Sequence, residues 1–434
     1  MQKKLIDKRE SDTNMSSASI QSSGRIYSFD WLRIIAFAIV VLIHCVQMFG
    51  ELYNAQFGLK LNDGAAYFVS FITYWCMALF FLLAGASTWL AIRRKTPQQF
   101  IQERVRRLLI PFLLGYALMV PFQTYFEMTS NGQYSGTLIE FYPFFLGNVL
   151  FNGKLIWLVS SIHHLWFLLY LFVFSLVALP LCLYLRSERG LAWIERLAAI
   201  CERPGGLLVP TLPIIAVLVG LRAIFPVYCS VADALCWILF YIDGYILFAS
   251  PRLRQALQQQ GKLALGLGMV GLAAILILGR MGLLHAWMYT PDYSVACLLF
   301  QTLVGLTLWS WLIVTLTVGD KYLNRNSSFL KYGSAASFSW YLLHFPIVIF
   351  VAYSLLPLHL YALAAFLLVS SSSFAITFVL ADLPLRTSIT LAQLKTRLHT
   401  IATHWFSEQP TADLSTTPLE HTITGHLNTR PLIG

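Results

Sequence analysis

Ten apolar runs, each close to the length that crosses a bilayer, most tightly constrain what this chain can fold into. They cover residues 29–49, 65–90, 108–127, 163–185, 207–225, 232–249, 263–280, 293–318, 334–354 and 360–381. A helix needs roughly 20 apolar residues to cross hydrocarbon, where every backbone polar group must be satisfied within the protein. The pattern therefore predicts an all-α polytopic membrane protein with about ten transmembrane helices. Composition agrees: of 434 residues, 57% are hydrophobic and 12% charged, against about 25% charged in a soluble domain. A soluble enzyme carrying a single anchor is excluded on that ground.

The loops give the bundle a direction. Cations gather in the N-terminal tail (Lys3, Lys4, Lys8, Arg9, Arg25) and in every second connection, around Arg93–Arg107, Arg186–Arg203, Arg252–Lys262 and Lys321–Lys331. The alternate loops hold little beyond Lys60 and Lys154. Positive loops stay cytoplasmic, so both termini are expected there, consistent with an even number of spans. The same topology accounts for the net charge of +10, and no nucleic-acid partner is inferred from it. Residues 1–25 read as a disordered cytoplasmic tail without a cleavable signal, 26–386 as the membrane domain, and 387–434 as a polar cytoplasmic tail. The stretch 141–158, interrupted by Pro143, Gly147 and Gly153, is expected to be a re-entrant or interfacial piece on the outer side.

The first run, FDWLRIIAFAIVVLIHCVQMF, carries Arg33 and His44 eleven positions apart. Ionisable residues at membrane depth are costly and by default mark a functional site. Eleven helical residues rise roughly 16 Å, so one helix holds a permanent cation near the cytoplasm and an imidazole towards the outside. His44 suits general-base work near neutrality; the bland alternative is a satisfied packing residue. Arg33 suits a phosphate grip, or it snorkels to headgroups. Asp30, three residues before Arg33, shares its helix face and orients or neutralises it.

Other residues extend the pattern. In FIQERVRRLLIPFL, the i, i+3 pair Arg104 and Arg107 would share one helix face as a phosphate clamp, unless they merely obey the loop-charge rule. His163 and His164 open the fourth run at its outer boundary, where adjacent histidines point apart and a shared metal is not expected. Trp166 fits an interfacial aromatic belt. Arg222 lies at the outer end of the fifth run without an obvious local partner and is read as an acceptor-side or oxyanion group. Asp243 is a mid-span acid whose bland reading is an internal ion pair. Tyr341 and His344 share a face just before Pro346, and Asp382 and Arg386 are placed to pair. The seven cysteines show no CxxC or metal spacing and read as small apolar packing groups. No Walker, HExxH or GxSxG motif is present, and no metal site is expected.

Taken in order, these segments resemble the membrane acyltransferase-three family. SFDWLRIIAFAIVVLIH resembles its first helix, in which Arg or Lys is followed after ten residues by His; Arg33 and His44 fit that spacing. ALFFLLAGAST resembles its FFxxSG stretch, with Ala84 where Ser is common. RVRRLLIPF resembles its RxxR segment, HHLWFLLYL its LWFL segment, SFSWYLLHFP its YxxHxP segment and ADLPLR its closing acid-x-P-x-R. The HLWFL and YLLHFP segments lean towards the branch with periplasmic glucan succinyltransferases.

The resemblance implies an O-acyltransferase in the bacterial inner membrane with no permanent cofactor. It would use cytoplasmic acyl-CoA, acetyl-CoA or succinyl-CoA, as co-substrate. Arg33, Arg104 and Arg107 would grip the CoA phosphates. His44 would act as base, and a hydroxyl of a glycan or glycolipid would receive the acyl group. Asp30, His164, Trp166, Arg222, Tyr341 and His344 would support the site or face the acceptor. The lipid bilayer is the other partner, and a homo-oligomer is compatible with this reading. The competing reading from the residues alone is a proton-coupled secondary transporter relaying through His44, Asp243 and Arg222. A membrane scaffold would leave Arg33 and His44 without a role.

Overall fold

The computed structural model describes residues 26–48, 63–150, 162–361 and 363–383. Most of those residues are helical, and no strand occurs among them. Residues 26–382 belong to one compact unit; a second, Leu383–Gly434, falls almost wholly outside the described residues, as does Arg386.

The first helices are α1 (Tyr27–Met48), α2 (Asp63–Ile92) and α3 (Pro97–Arg104). A π turn at Val105–Leu109 leads into α4 (Ile110–Leu118) and α5 (Val120–Ser130). The stretch Pro97–Ser130 counts as one span of 34 residues, which starts well before the apolar run at 108. Its start is fixed by Thr96, whose hydroxyl accepts from Gln99 N while Gln99 bonds back to Thr96 N. That reciprocal cap satisfies two donors that a helix start leaves open, and Pro97 is preset for the first turn. α6 (Leu138–Leu150) follows, with Pro143 inside it. Over its described part the expected re-entrant stretch is therefore one continuous helix, uninterrupted at Pro143 or Gly147; Gly153 lies outside the described residues.

A 3₁₀ turn at His163–Leu165 opens α7 (Trp166–Val177), which bends by 50° into α8 (Leu179–Leu185). Pro180 in the first turn of α8 has no N–H for the preceding turn, which accounts for the bend. Then come α9 (Glu188–Cys201), α10 (Thr211–Leu221), α11 (Val231–Ala249), α12 (Pro251–Arg280), α13 (Leu284–Tyr289), α14 (Val295–Tyr322) and α15 (Ser328–Leu355). The last is α16 (Leu363–Leu383).

Among the described residues, eight helices are long and apolar enough to cross a membrane, or nine with the bent α7–α8 pair. The remaining predicted segment, 207–225, yields only the 11-residue α10, because Pro210 bounds it and the chain turns after Leu221. This is an all-α polytopic membrane protein. Its outer surface is apolar, as a lipid-facing surface requires: Leu114, Val270 and Leu299 are each more than half exposed.

Helix approach sets where the site lies. α2 and α11 touch backbone to backbone. A Cβ on Gly85 would sit 1.8 Å from the Tyr241 carbonyl oxygen, and one on Gly244 1.9 Å from that of Leu82. Small residues permit such contact between membrane helices. The run GLGMVG at 266–271 has a dinucleotide-like GxGxxG spacing, but it lies in mid-helix. There Gly268 abuts Trp311 and Gly271 abuts Thr307, so it serves the α12–α14 contact. Trp237, Trp309, Tyr241 and Tyr245 on α11 and α14 are fully buried, and the Trp309 N–H donates to the Leu207 carbonyl at 2.6 Å.

Candidate active site

One stripe of α1, at Arg33, Phe37, Val40, His44 and Gln47, lines a cavity of about 460 Å³. The spacing explains this. Eleven residues are just over three full helical turns, so Arg33 and His44 fall within about 20° of each other around the axis. The cavity is of ligand size. Arg104, Ser87, Thr73, His163, His164, Trp166, Tyr341 and His344 also line it, and no Asp or Glu does among the described residues.

The guanidinium region is built from α1, α2 and α3. Arg33 Nη1 reaches Asp30 at 3.4 Å, while Nη2 donates to the Leu83 carbonyl at 3.3 Å and to the Ser87 hydroxyl. Asp30 thus orients Arg33 as expected, without lining the cavity itself. Arg104 donates to Thr88 Oγ1 at 3.1 Å, and Thr88 is paired with the Tyr241 hydroxyl at 2.6 Å. The Phe100 ring lies 4.5 Å under the Arg104 guanidinium, a cation–π contact. Arg104 Nε is buried without a partner.

Arg107 does not join them. Its side chain is 75% exposed, paired with Glu103 at 3.2 Å, in a surface hollow with Lys95 and Arg106. The expected shared face fails because the segment after Arg104 is a π turn. The i→i+5 turn carries an extra residue and rotates Arg107 away from Arg104.

The imidazole region joins α1, the 3₁₀ turn and α15. His44 Nδ1–H donates to Gln47 Oε1 at 3.0 Å, leaving Nε2 as the basic nitrogen. The His44 ring lies 5.4 Å from that of His344 and 4.4 Å from Phe345. His163 and His164 were expected to point apart, yet both line the cavity. His163 heads the 3₁₀ turn with φ of 46°, a left-handed conformation that re-aims its side chain. Its Nε2 meets Thr124 Oγ1 at 3.2 Å. His164 has both nitrogens engaged: Nε2–H donates to the Leu342 carbonyl at 3.2 Å, and Nδ1 accepts from Gln123 Nε2 at 3.4 Å. The Tyr341 hydroxyl donates to the His164 carbonyl at 2.7 Å.

Trp166 lines the cavity and stacks on Trp237 at 4.6 Å. Arg222 has a partner, Asp233, in a buried ion pair. It lines a different cavity of about 90 Å³, bounded by Tyr74 and Trp237. Asp243 makes no internal ion pair among the described residues; its Oδ2 is buried without a partner. The three members of the transporter relay, His44, Asp243 and Arg222, are not brought into one cavity.

Gln47, Ser87, Thr88, Gln123 and Thr124 were not anticipated. Gln47 was legible as the residue one turn after His44; the others are polar residues of apolar runs whose partners lie on distant helices.

Fold and site together define a multi-pass membrane protein with cations and imidazoles in one buried cavity. The chain belongs to the membrane acyltransferase-three family, whose acyltransferase domain matches residues 26–382. Its relatives include "Glucans biosynthesis protein C" of Salmonella schwarzengrund (strain CVM19633), Salmonella agona (strain SL483) and Salmonella heidelberg (strain SL476). Each is 25% identical over 308 residues, covering 67% of this chain and 73% of the relative. No solved structure matches the chain.

Proposed function

We propose that the protein moves an acyl group, acetyl or succinyl, from acyl-CoA to a hydroxyl of a periplasmic or cell-surface carbohydrate or glycolipid, in the bacterial inner membrane. The observation that carries this reading is the α1 stripe, which gives one cavity both Arg33 and His44. The loop charges support a cytoplasmic position for the Arg33 end. Arg33 keeps 34% of its side chain exposed, and Arg104 lines the same cavity, so both are suited to an anion such as a CoA phosphate. Arg107, outside the cavity, is suited to a more exposed phosphate of the same donor. The pantetheine arm would run along α1 and bring the thioester towards His44, roughly 16 Å away.

In the transfer step the acceptor hydroxyl attacks the thioester carbonyl. A C–O bond forms, the C–S bond breaks, and the hydroxyl proton passes to His44 Nε2 and then to the departing thiolate. Gln47 holds the other His44 nitrogen, which fixes the basic tautomer. The glucan-related name of the relatives supports a carbohydrate acceptor.

Mass spectrometry of the glycans tests this in cells carrying the wild type, lacking the protein, or carrying His44→Ala. Acyl ester present only with the wild type is the expected result. Identical glycans in all three would overturn the reading.

A further inference from the structure

Pro346 lies inside α15 and has no N–H, so the carbonyl four residues earlier, that of Leu342, loses its helical partner. His164 Nε2–H fills that vacancy at 3.2 Å. One turn away, His344 Nδ1–H donates to the Tyr341 carbonyl at 2.6 Å. The His164 ring meets the His344 ring edge to face at 5.2 Å, and Phe37 packs on it at 5.3 Å. His344 is thereby locked with no exposure at all, and its Nε2 is buried without a hydrogen-bond partner. An unfilled buried acceptor has lost its water without a replacement partner, which is unfavourable. Of the four imidazoles that line the cavity, His344 has the buried nitrogen without a partner among the described residues.

The His344 ring lies 5.4 Å from that of His44; the two nitrogens are not bonded at rest, and a small rotation of His44 would join them by one N–H···N bond. Resting on the general-base reading of His44, we propose that His344 is a positioning residue that holds the protonated form of His44. When His44 takes the acceptor's proton, its new Nε2–H is shared with His344 Nε2 until the proton passes to the thiolate. A neutral imidazole then accepts from the charged His44 at the nitrogen that carries the moving proton, unlike a triad carboxylate, which accepts at the opposite nitrogen. The other groups facing His44 do not supply this. Gln47 is committed to Nδ1, and both His164 nitrogens are filled. His163 Nε2 is bonded to Thr124, the Tyr341 hydroxyl donates to His164, and Arg33 and Arg104 are cations.

Carbethoxylation by diethylpyrocarbonate tests the proposal, because only neutral imidazole reacts. The full chain in lipid nanodiscs is labelled across the pH range of imidazole, and His44 is read by mass spectrometry. In His344→Leu, the pH midpoint of His44 labelling should fall by about one unit, a tenfold loss of proton affinity. His344→Gln, which keeps an acceptor, should restore it. Transfer from acetyl-CoA to a glucan oligosaccharide should lose kcat in His344→Leu with KM unchanged. Equal midpoints in wild type and His344→Leu would overturn the proposal. If His344→Leu fails to fold, Pro346→Ala, which returns an N–H to Leu342, should move the midpoint in the same direction; no movement overturns the proposal equally. Full transfer by His44→Ala would instead refute the general-base reading and leave the labelling result standing.

Discussion

Two arginines of this protein, each beside an aspartate, have opposite fates. Arg222 is locked in a buried ion pair with Asp233, with side-chain exposures of 8% and 1%, beside a cavity of about 90 Å³. Arg33 shares Asp30 with a longer contact of 3.4 Å, keeps 34% of its side chain exposed and faces about 460 Å³. Both lie in or at the end of an apolar helix, where a charge by itself points to function. The difference is unspent capacity. A guanidinium whose charge is matched by a buried carboxylate holds helices together. One that keeps exposure towards a ligand-sized volume is available to a ligand.

The comparison breaks if the two sites respond alike to mutation. The largest stability effect is expected for Asp233→Ala, which leaves Arg222 buried and unpaired. About 3–5 kcal/mol should be lost, read as a lower thermal midpoint in nanodiscs, while the folded fraction retains acyl-CoA affinity. Arg33→Ala should do the reverse. Loss of charge-assisted hydrogen bonds worth about 1.5–3 kcal/mol should weaken acetyl-CoA binding ten- to a hundredfold by calorimetry, with little change in thermal midpoint. Equal weakening of donor and acceptor binding would remove the phosphate role.

Gly85→Ala probes the scaffold between them, because its Cβ would meet the Tyr241 backbone. Overpacking costs about 1–3 kcal/mol, and a separated α2–α11 pair should also loosen Thr88, which Tyr241 and Arg104 share. The smallest effect belongs to the α9–α12 junction. Arg252 bonds Glu202 at 2.6 and 2.7 Å and holds its carboxyl below the usual glutamate range. Its contribution is present above the ordinary glutamate pKa and is lost as pH falls through the lowered one. Acidification should therefore raise hydrogen exchange in α9, and Glu202→Gln should remove that pH dependence.

Much of this contrast was legible in the residues, and part was not. The spans, the Arg33–His44 spacing and the Asp30 contact follow from local periodicity, which one helix carries unaided. Asp233 as the partner of Arg222 does not, because it sits eleven residues on, across a turn that returns the chain. Arg107 was misplaced because a π turn has no distinct apolar period in so short a stretch. The role of His164 depends on a carbonyl 178 positions away, which Pro346 sets free. Pro346 was visible as a helix breaker, but not which side chain would use the carbonyl it released.

The central claim is that the α1 stripe separates gripping from chemistry, with Arg33 for the donor and His44 for the proton. Measuring acetyl-CoA affinity and acyl transfer side by side in His44→Ala tests it most directly. Unchanged affinity is expected, with transfer reduced by about 10²–10⁴, the usual contribution of a general base. Full transfer in His44→Ala, or loss of donor binding equal to that of Arg33→Ala, would contradict it.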